Sequence, residues 1–335
     1  MWRIVLRGSS RTPLDPRRAF PLYRVETCDV VRIATFRAHC EQERGDVPSL
    51  ARTLGVAKTM VYNLAMTTPF DPHRFRSSAP YYARYRVPYP DRLIAYVGEH
   101  CRVEHGSAVL DLGCGPGPLA IAFARLGARV TAIDPEPTML AALREGAAAA
   151  GVAVTTIEGS SYDLPLSLGP FQLVTLGRAF HWMDRAATVA ALDSMIGYGG
   201  ALAVFGDKRI ATPGAEWPAL LERMAEEFAP AKAAERRVRK QADEPAEVVL
   251  LRSPFASLER HGVIVMRELK PDDIVGRAYS MSTTSPASLG ERRGAFESTL
   301  RAQLAQLSPT GAFREIVEVN ALIAMRPAER ETQRH

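Results

Sequence analysis

The stretch Ser107–Ala120, SAVLDLGCGPGPLA, limits what this chain can fold into more than any other segment. Val109, Leu110 and Leu112 form a short apolar run of strand type, glycines stand at Gly113, Gly115 and Gly117, and a helical apolar pattern follows from Leu119 to Leu126. Glycine reaches positive φ without strain and puts no Cβ in the way of a ligand, and the next helix begins with unpaired N–H groups. The turn is built to hold a polar cofactor.

The spacing narrows the choice. A dinucleotide fingerprint is G-x-G-x-x-G, whereas this turn reads G-x-G-x-G and is followed by Pro118. Asp111 precedes the first glycine by two positions, and Asp134 ends the next strand pattern, Ala128 to Ile133. A carboxylate at that strand end can accept hydrogen bonds from two ribose hydroxyls in either kind of cofactor. The acids alone therefore leave both open.

Four segments in order carry a family resemblance: D-x-G-x-G-x-G from Asp111, AIDPEPTML from Ala132, EGSSYDLPL from Glu158 and FQLVTLGRAFHWMD from Phe171. Together they resemble the class I S-adenosylmethionine-dependent methyltransferases, in particular the small-molecule branch called methyltransferase type 11, over Phe70 to Pro327. The resemblance implies a doubly wound α/β fold: a mostly parallel, seven-stranded, Rossmann-like sheet with a helical cap. It implies S-adenosyl-L-methionine as cofactor, held by Asp111, Gly113, Gly115, Gly117, Asp134, Pro135, Met139, Ser160, Ser161, Arg178 and Tyr82. The family commonly has an acid where Ser160 stands; a neutral hydroxyl makes a weaker bond to the adenine amino group, and Asp163, three positions on, is expected to face solvent.

Single residues also have plainer readings. Met139 can touch adenine or fill core. Tyr81, Tyr82 and Tyr85 can flank a sulfonium, whose charge is drawn to π faces, or simply pack their helix. His181, in the loop after the fourth strand, is the candidate base, because an imidazole of ordinary pKa near 6.5 can take a proton at neutral pH; a structural role for His181 and Trp182 is the alternative. Arg178 and Arg277 are candidates for a substrate carboxylate, although Arg outnumbers Lys 37 to 5 and a single arginine says little.

The net charge of +5 would suggest a nucleic-acid partner if it were spread over the whole chain. It is not: residues 1–65 hold ten Arg, one Lys and six acids, while the other 31 basic and 31 acidic residues cancel. Residues 1–65 read as an Arg-rich extension, poorly ordered apart from a short helix near Val30–Cys40, or as helix-turn-helix-like over residues 47–65, where VPSLARTLGVAKTMVYNLA places Gly55 at a turn. A methyltransferase domain over residues 66–330, with a cap insertion around 208–250, completes the expected organisation.

The four cysteines form no C-x-x-C pair and the seven histidines show no ligand spacing, so no metal is expected. No apolar run approaches the ~20 residues of a membrane helix, and a cytoplasmic protein without membrane contact is expected, of open oligomeric state. The leading function is methyl transfer to a small molecule. The alternatives are a regulator that senses the cofactor and reads DNA through residues 47–65, and a nicotinamide-dependent oxidoreductase.

Ala201–Phe205 is expected as the fifth strand, and beyond Asp207 the alternation of strands and helices stops. Trp217–Phe228 is expected as an amphipathic helix running on into the charge run ERRVRKQADE, a solvated face, with Trp217 either lining the pocket or in core. Gly262–Met266 and Ile316–Ala324 read as strands, and the family resemblance implies that they are the last two, the final one antiparallel.

Overall fold

The computed structural model describes residues 71–212 and 215–327, all within the unit Asn63–His335. The Arg-rich extension and the helix-turn-helix reading of residues 47–65 lie outside the described residues. No described helix is long and apolar enough to cross a membrane.

After helix α1 (Ala79–Tyr85) and helix α2 (Asp91–His100), strands and helices alternate: β1 (Ala108–Leu112), α3 (Pro118–Arg125), β2 (Arg129–Asp134), α4 (Pro137–Ala150), β3 (Val154–Glu158), β4 (Phe171–Gly177), α5 (Arg185–Met195) and β5 (Ile196–Ile210). The second half holds α6 (Trp217–Phe228), α7 (Pro230–Ala242), α8 (Ala246–Leu251), β6 (Ser257–Leu269), α9 (Pro271–Tyr279), α10 (Pro286–Leu289), α11 (Arg293–Leu307) and β7 (Phe313–Met325). The seven strands lie in the order β3-β2-β1-β4-β5-β7-β6. Ladders among β1 to β5 are parallel, and β7 runs antiparallel to both β5 and β6. The order reverses at β1, between β2 and β4, which opens a crevice at the carboxyl ends of those strands.

Strand β1 shows why the sheet needs cover on both sides. Val109 belongs to the apolar cluster that includes Leu93, Phe123 and Leu143, whereas Leu110 and Leu112 belong to the opposite cluster with Val189, Leu192 and Leu250. A third cluster, with Trp217, Leu220, Ile274, Phe296 and Leu300, forms away from the parallel strands under the second half. Trp217 is 1% exposed and donates from its indole nitrogen to the Arg314 carbonyl, so it is core.

Three strands extend beyond their apolar signal. The expected stretches 201–205, 262–266 and 316–324 become Ile196–Ile210, Ser257–Leu269 and Phe313–Met325. The added ends carry Asp207, Lys208, Arg209, Arg267, Glu268, Arg314 and Glu315, which the antiparallel ladder pairs regardless of polarity. The helix expected to continue through the charge run instead ends at Phe228, and Pro230 opens a separate one, since proline fits the first helical turn but not the interior.

Candidate active site

The glycine turn gives each glycine a different task. All three have positive φ, +68° at Gly113, +55° at Gly115 and +80° at Gly117. A Cβ on Gly113 would come within 2.6 Å of the Ala179 Cβ, and one on Gly117 within 2.4 Å of Leu143 Cγ, but one on Gly115 would meet nothing within 4 Å. The outer two glycines are packing requirements, and Gly115 faces the open side.

Asp134, at the end of β2, accepts from the Gly115 N–H at 2.8 Å and from the Glu136 N–H at 3.0 Å, one on each oxygen. A carboxylate oxygen accepts more than one hydrogen bond, so two hydroxyl donors can be added without breaking these. Burial raises its pKa to about 6, against the two N–H bonds that favour the charged form. Asp111, expected among the cofactor contacts, has another place. It is 1% exposed, accepts from the Ala120 N–H at 3.0 Å and the Thr175 hydroxyl at 2.9 Å, and burial raises its pKa to about 7. It ties the first turn of α3 to β4 and so holds the glycine turn in shape. Pro135 is half-buried behind Asp134, and Met139 is buried on α4.

At the end of β3 Asp163 is exposed, as expected, and its carboxylate also turns back onto Ser160, accepting from that residue's N–H at 2.6 Å and from its hydroxyl. These bonds, with the Ser160 hydroxyl foremost, hold the Asp163 carboxyl below its ordinary pKa. A carboxylate is thus delivered to the position from which the sequence lacks one, with Ser161 half-buried in the same turn. The spacing of an acceptor three residues after a hydroxyl, as in helix-capping turns, is the signal that finds it.

The loop after β4 carries Arg178, a non-glycine residue at φ +56°. Its N–H donates to the Phe205 carbonyl at 3.0 Å, its guanidinium pairs with Asp207 and donates to the Val87 carbonyl at 2.7 Å, and it lies 4.5 Å over the Tyr89 ring. Arg178 is a brace across β4, β5 and the segment before α2. Holding it in the left-handed region costs on the order of 1–2 kcal/mol, which those bonds must offset.

His181 and Trp182 follow in a single 3-10 turn, Phe180–Trp182. Burial first, then Arg239, Arg185 and Arg86, lower the His181 pKa to about 3. An imidazole so placed is neutral throughout the physiological range and holds a proton poorly. The base role that an ordinary pKa of 6.5 permits is therefore opposed by three nearby guanidinium groups.

Above Trp182 sit Arg239 of α7 at 3.7 Å, Arg74 at 5.0 Å and the Phe75 ring at 5.2 Å. Arg74 also pairs with Glu235 at 2.8 Å, while His73 and Arg76 reach Glu136 at 3.1 and 3.5 Å. The segment before α1 is thereby fastened to the turn after β2 and to the cap. Of the tyrosines, Tyr81 and Tyr85 turn toward α9: the Tyr81 ring lies tilted 5.1 Å from Tyr279, and a Cβ on Gly276 would strike the Tyr85 ring at 2.4 Å. Tyr82 faces Arg86 instead, 4.9 Å from its guanidinium.

Residues 109–198 match a family described as "Methyltransferase domain". An uncharacterized methyltransferase of Mycobacterium tuberculosis (strain H37Rv) is 28% identical over 215 residues, which is 64% of this chain and 79% of that protein. A ubiquinone biosynthesis O-methyltransferase of Azotobacter vinelandii is 37% identical over 112 residues, 32% of this chain and 47% of that protein. Among solved structures, a SAM-dependent methyltransferase from Thiobacillus denitrificans in complex with S-adenosyl-L-homocysteine aligns with 77% of this chain and 100% of its own, at 18% identity and a TM-score of 0.44.

Proposed function

From the premise that the chain belongs to the class I S-adenosylmethionine-dependent methyltransferases, we propose that it methylates a small organic acceptor, with the cofactor lying over the open face of Gly115 and beside Asp134. The observation that carries this reading is the open face of Gly115 beside a carboxylate whose two oxygens each hold one backbone N–H. The relatives lend nothing to the dinucleotide and DNA-binding readings. An oxygen acceptor accords with the O-methyltransferase relatives.

Bound S-adenosyl-L-methionine supplies a methyl group on a sulfonium that is already electrophilic. The protein's share is then alignment, since holding the reacting atoms within ~3–3.5 Å of each other can provide much of the rate enhancement. Asp134 takes the ribose hydroxyls, Gly113 and Gly117 shape the turn, and Gly115 lets the cofactor approach the backbone. Ser160, Ser161, Pro135 and Met139 frame the adenine side, with Asp163 presenting the carboxylate there. Asp111 and Arg178 act one step back, fixing the ends of β1 and β4.

His181 serves as a neutral hydrogen-bond acceptor that orients the acceptor's X–H group. A proton released in the reaction leaves to water or buffer, because the surrounding arginines disfavour the imidazolium.

Calorimetric titration of the full chain with S-adenosylhomocysteine beside NADH, for wild type and Asp134→Ala, tests the reading. Micromolar binding of S-adenosylhomocysteine that the substitution weakens about tenfold or more, roughly 1.4 kcal/mol, is the expected result. Folded protein that binds neither compound, or NADH alone, overturns it.

A further inference from the structure

Arg86, which ends α1, is the buried guanidinium that the fold leaves incompletely matched. Its Nη2 donates to the Ser280 carbonyl at 2.9 Å and its plane lies against Tyr82, but its Nε is buried with no hydrogen-bond partner. No carboxylate among the described residues pairs with it. Two acids on the neighbouring strands are engaged by other arginines: Asp207 by Arg178 and, at 3.8 Å, Arg277; Glu315 by Arg267 at 2.9 Å, Arg209 at 3.4 Å and Arg277 at 3.5 Å. Four guanidinium groups thus share two carboxylates at the ligand side of the sheet, and Arg86 is in neither set of ion pairs.

A desolvated cation with no ion-pair partner in contact is costly, and the molecule registers the cost. Burial first, then neighbouring Arg178, pull the Arg86 pKa below its ordinary value, against the opposing influence of Tyr82, of the Asp207 carboxylate already engaged by Arg178, and of Tyr89. An entering anion would lower that cost, and the vacant Nε donor is the bond it would accept. The location suits an acceptor molecule: the charge of Arg86 is felt both by His181 in the turn after β4 and by Arg277 on α9. Arg178 and Arg277, the arginines to which the sequence points, already carry carboxylate partners in Asp207 and Glu315.

Resting on the methyl-transfer reading, we propose that the acceptor is a small carboxylic acid and that Arg86 anchors its carboxylate through Nε, with Tyr82 backing the guanidinium. The carboxylate is the handle and not the methylated atom, because pairing with a guanidinium withdraws the electron density a nucleophile needs. A planar carboxylate suits a site with one vacant guanidinium edge better than a phosphate, which calls for several donors around a tetrahedron.

The test uses the full chain saturated with S-adenosylhomocysteine. A panel of small aromatic and aliphatic carboxylates, each beside its neutral primary amide, and inorganic phosphate are titrated into wild type, Arg86→Met and Arg86→Lys. Wild type is expected to bind at least one carboxylate about tenfold or more tighter than its amide. Arg86→Met is expected to lose that preference and Arg86→Lys to keep part of it, both with S-adenosylhomocysteine affinity within about twofold of wild type. The proposal is overturned if no carboxylate is preferred, if phosphate outcompetes them all, or if Arg86→Met retains the preference. Failure of wild type to bind S-adenosylhomocysteine would instead strike the methyl-transfer reading, which keeps the two apart. Should Arg86→Met misfold, the Arg86→Lys arm decides, since an unaltered carboxylate preference there leaves the vacant Nε without a role.

Discussion

The two ends of the ligand crevice are built in opposite ways. At the end formed by β1 to β3 the polar groups are carboxylates, bonded mostly to neighbours close in sequence: Asp163 to Ser160 three residues away, Asp111 to Ala120 nine away, and Asp134 to Gly115 nineteen away, with the Asp111–Thr175 bond to β4 the exception. At the end formed by β4, β5, β6 and β7 they are guanidinium groups whose partners are far off: Arg277 to Glu315 across 38 residues, Arg178 to Val87 across 91, and Arg86 to Ser280 across 194. The first end is a local property of a strand, a turn and a helix. The second exists only once the whole sheet has closed, so damage there should act through global stability, whereas damage at the first should act through cofactor affinity.

Glu315→Ala is the strongest way to break that contrast. Glu315 is 1% exposed and its carboxylate meets Arg209, Arg267 and Arg277. Removing it leaves three guanidinium groups short of a counter-charge, which should cost about 3–5 kcal/mol. Urea denaturation is expected to show that loss with little change in S-adenosylhomocysteine affinity once the protein is folded. A loss under 1 kcal/mol would mean that the arginines find solvent and that this end is less enclosed than described.

Next in size is a pair of substitutions inside the glycine turn. Gly117→Val meets a φ of +80° and the Leu143 side chain at 2.4 Å, so strain and overpacking together should cost about 3 kcal/mol. Gly115→Ala meets open space and should cost only about 1 kcal/mol of stability from its φ of +55°, yet weaken S-adenosylhomocysteine binding more than Gly117→Val does in whatever fraction stays folded. Equal effects of the two on binding would remove the distinction between a packing glycine and a ligand-facing one.

Those two glycines also show what the sequence reveals. G-x-G-x-G, the acid two residues before it and the strand-end Asp134 are visible because their partners lie within one strand-turn-helix unit, where spacing implies geometry. The parallel part of the sheet follows from the strand–helix alternation, whereas the reversed last strand is expected from the family resemblance. What spacing cannot convey is which of the three glycines faces the ligand, because that depends on Ala179 and Leu143, brought in from the β4 loop and α4. Nor can it distinguish Arg86 from the other arginines, since its vacancy is defined by where Ser280, Asp207 and Glu315 come to rest. His181 was legible as a residue in the right loop but not as a weak base: the lowering of its pKa comes partly from Arg239 on a helix 58 positions later.

A titration sharpens the contrast further. Asp134 has a folded pKa of about 6, raised above its ordinary value by burial, so the folded chain holds a proton that the unfolded chain has already released. Its contribution to stability is accordingly present at low pH and lost as pH rises through about 6. Binding should run the other way, because ribose hydroxyls donate to the ionised form. S-adenosylhomocysteine affinity is expected to fall toward about tenfold per pH unit below 6, and Asp134→Asn to bind about tenfold more weakly at pH 8 with a flatter profile. A wild-type affinity unchanged between pH 5 and pH 8 would place the ribose elsewhere.

The smallest effect belongs to the most local contact. Asp163→Asn keeps an acceptor for the Ser160 N–H but loses the charge that the turn presents at the adenine side. Because the residue is exposed, stability should change by less than ~0.5 kcal/mol. The affinity for S-adenosylhomocysteine should nonetheless drop about threefold, roughly 0.6 kcal/mol, the difference between a charged and a neutral acceptor in a partly solvated site. Inosine-containing S-inosylhomocysteine, which lacks the adenine amino group, supplies the control: it should bind wild type and Asp163→Asn alike. If Asp163→Asn weakens both ligands equally, Asp163 acts only by shaping the Ser160 turn, and the carboxylate at this end is structural in the same sense as Asp111.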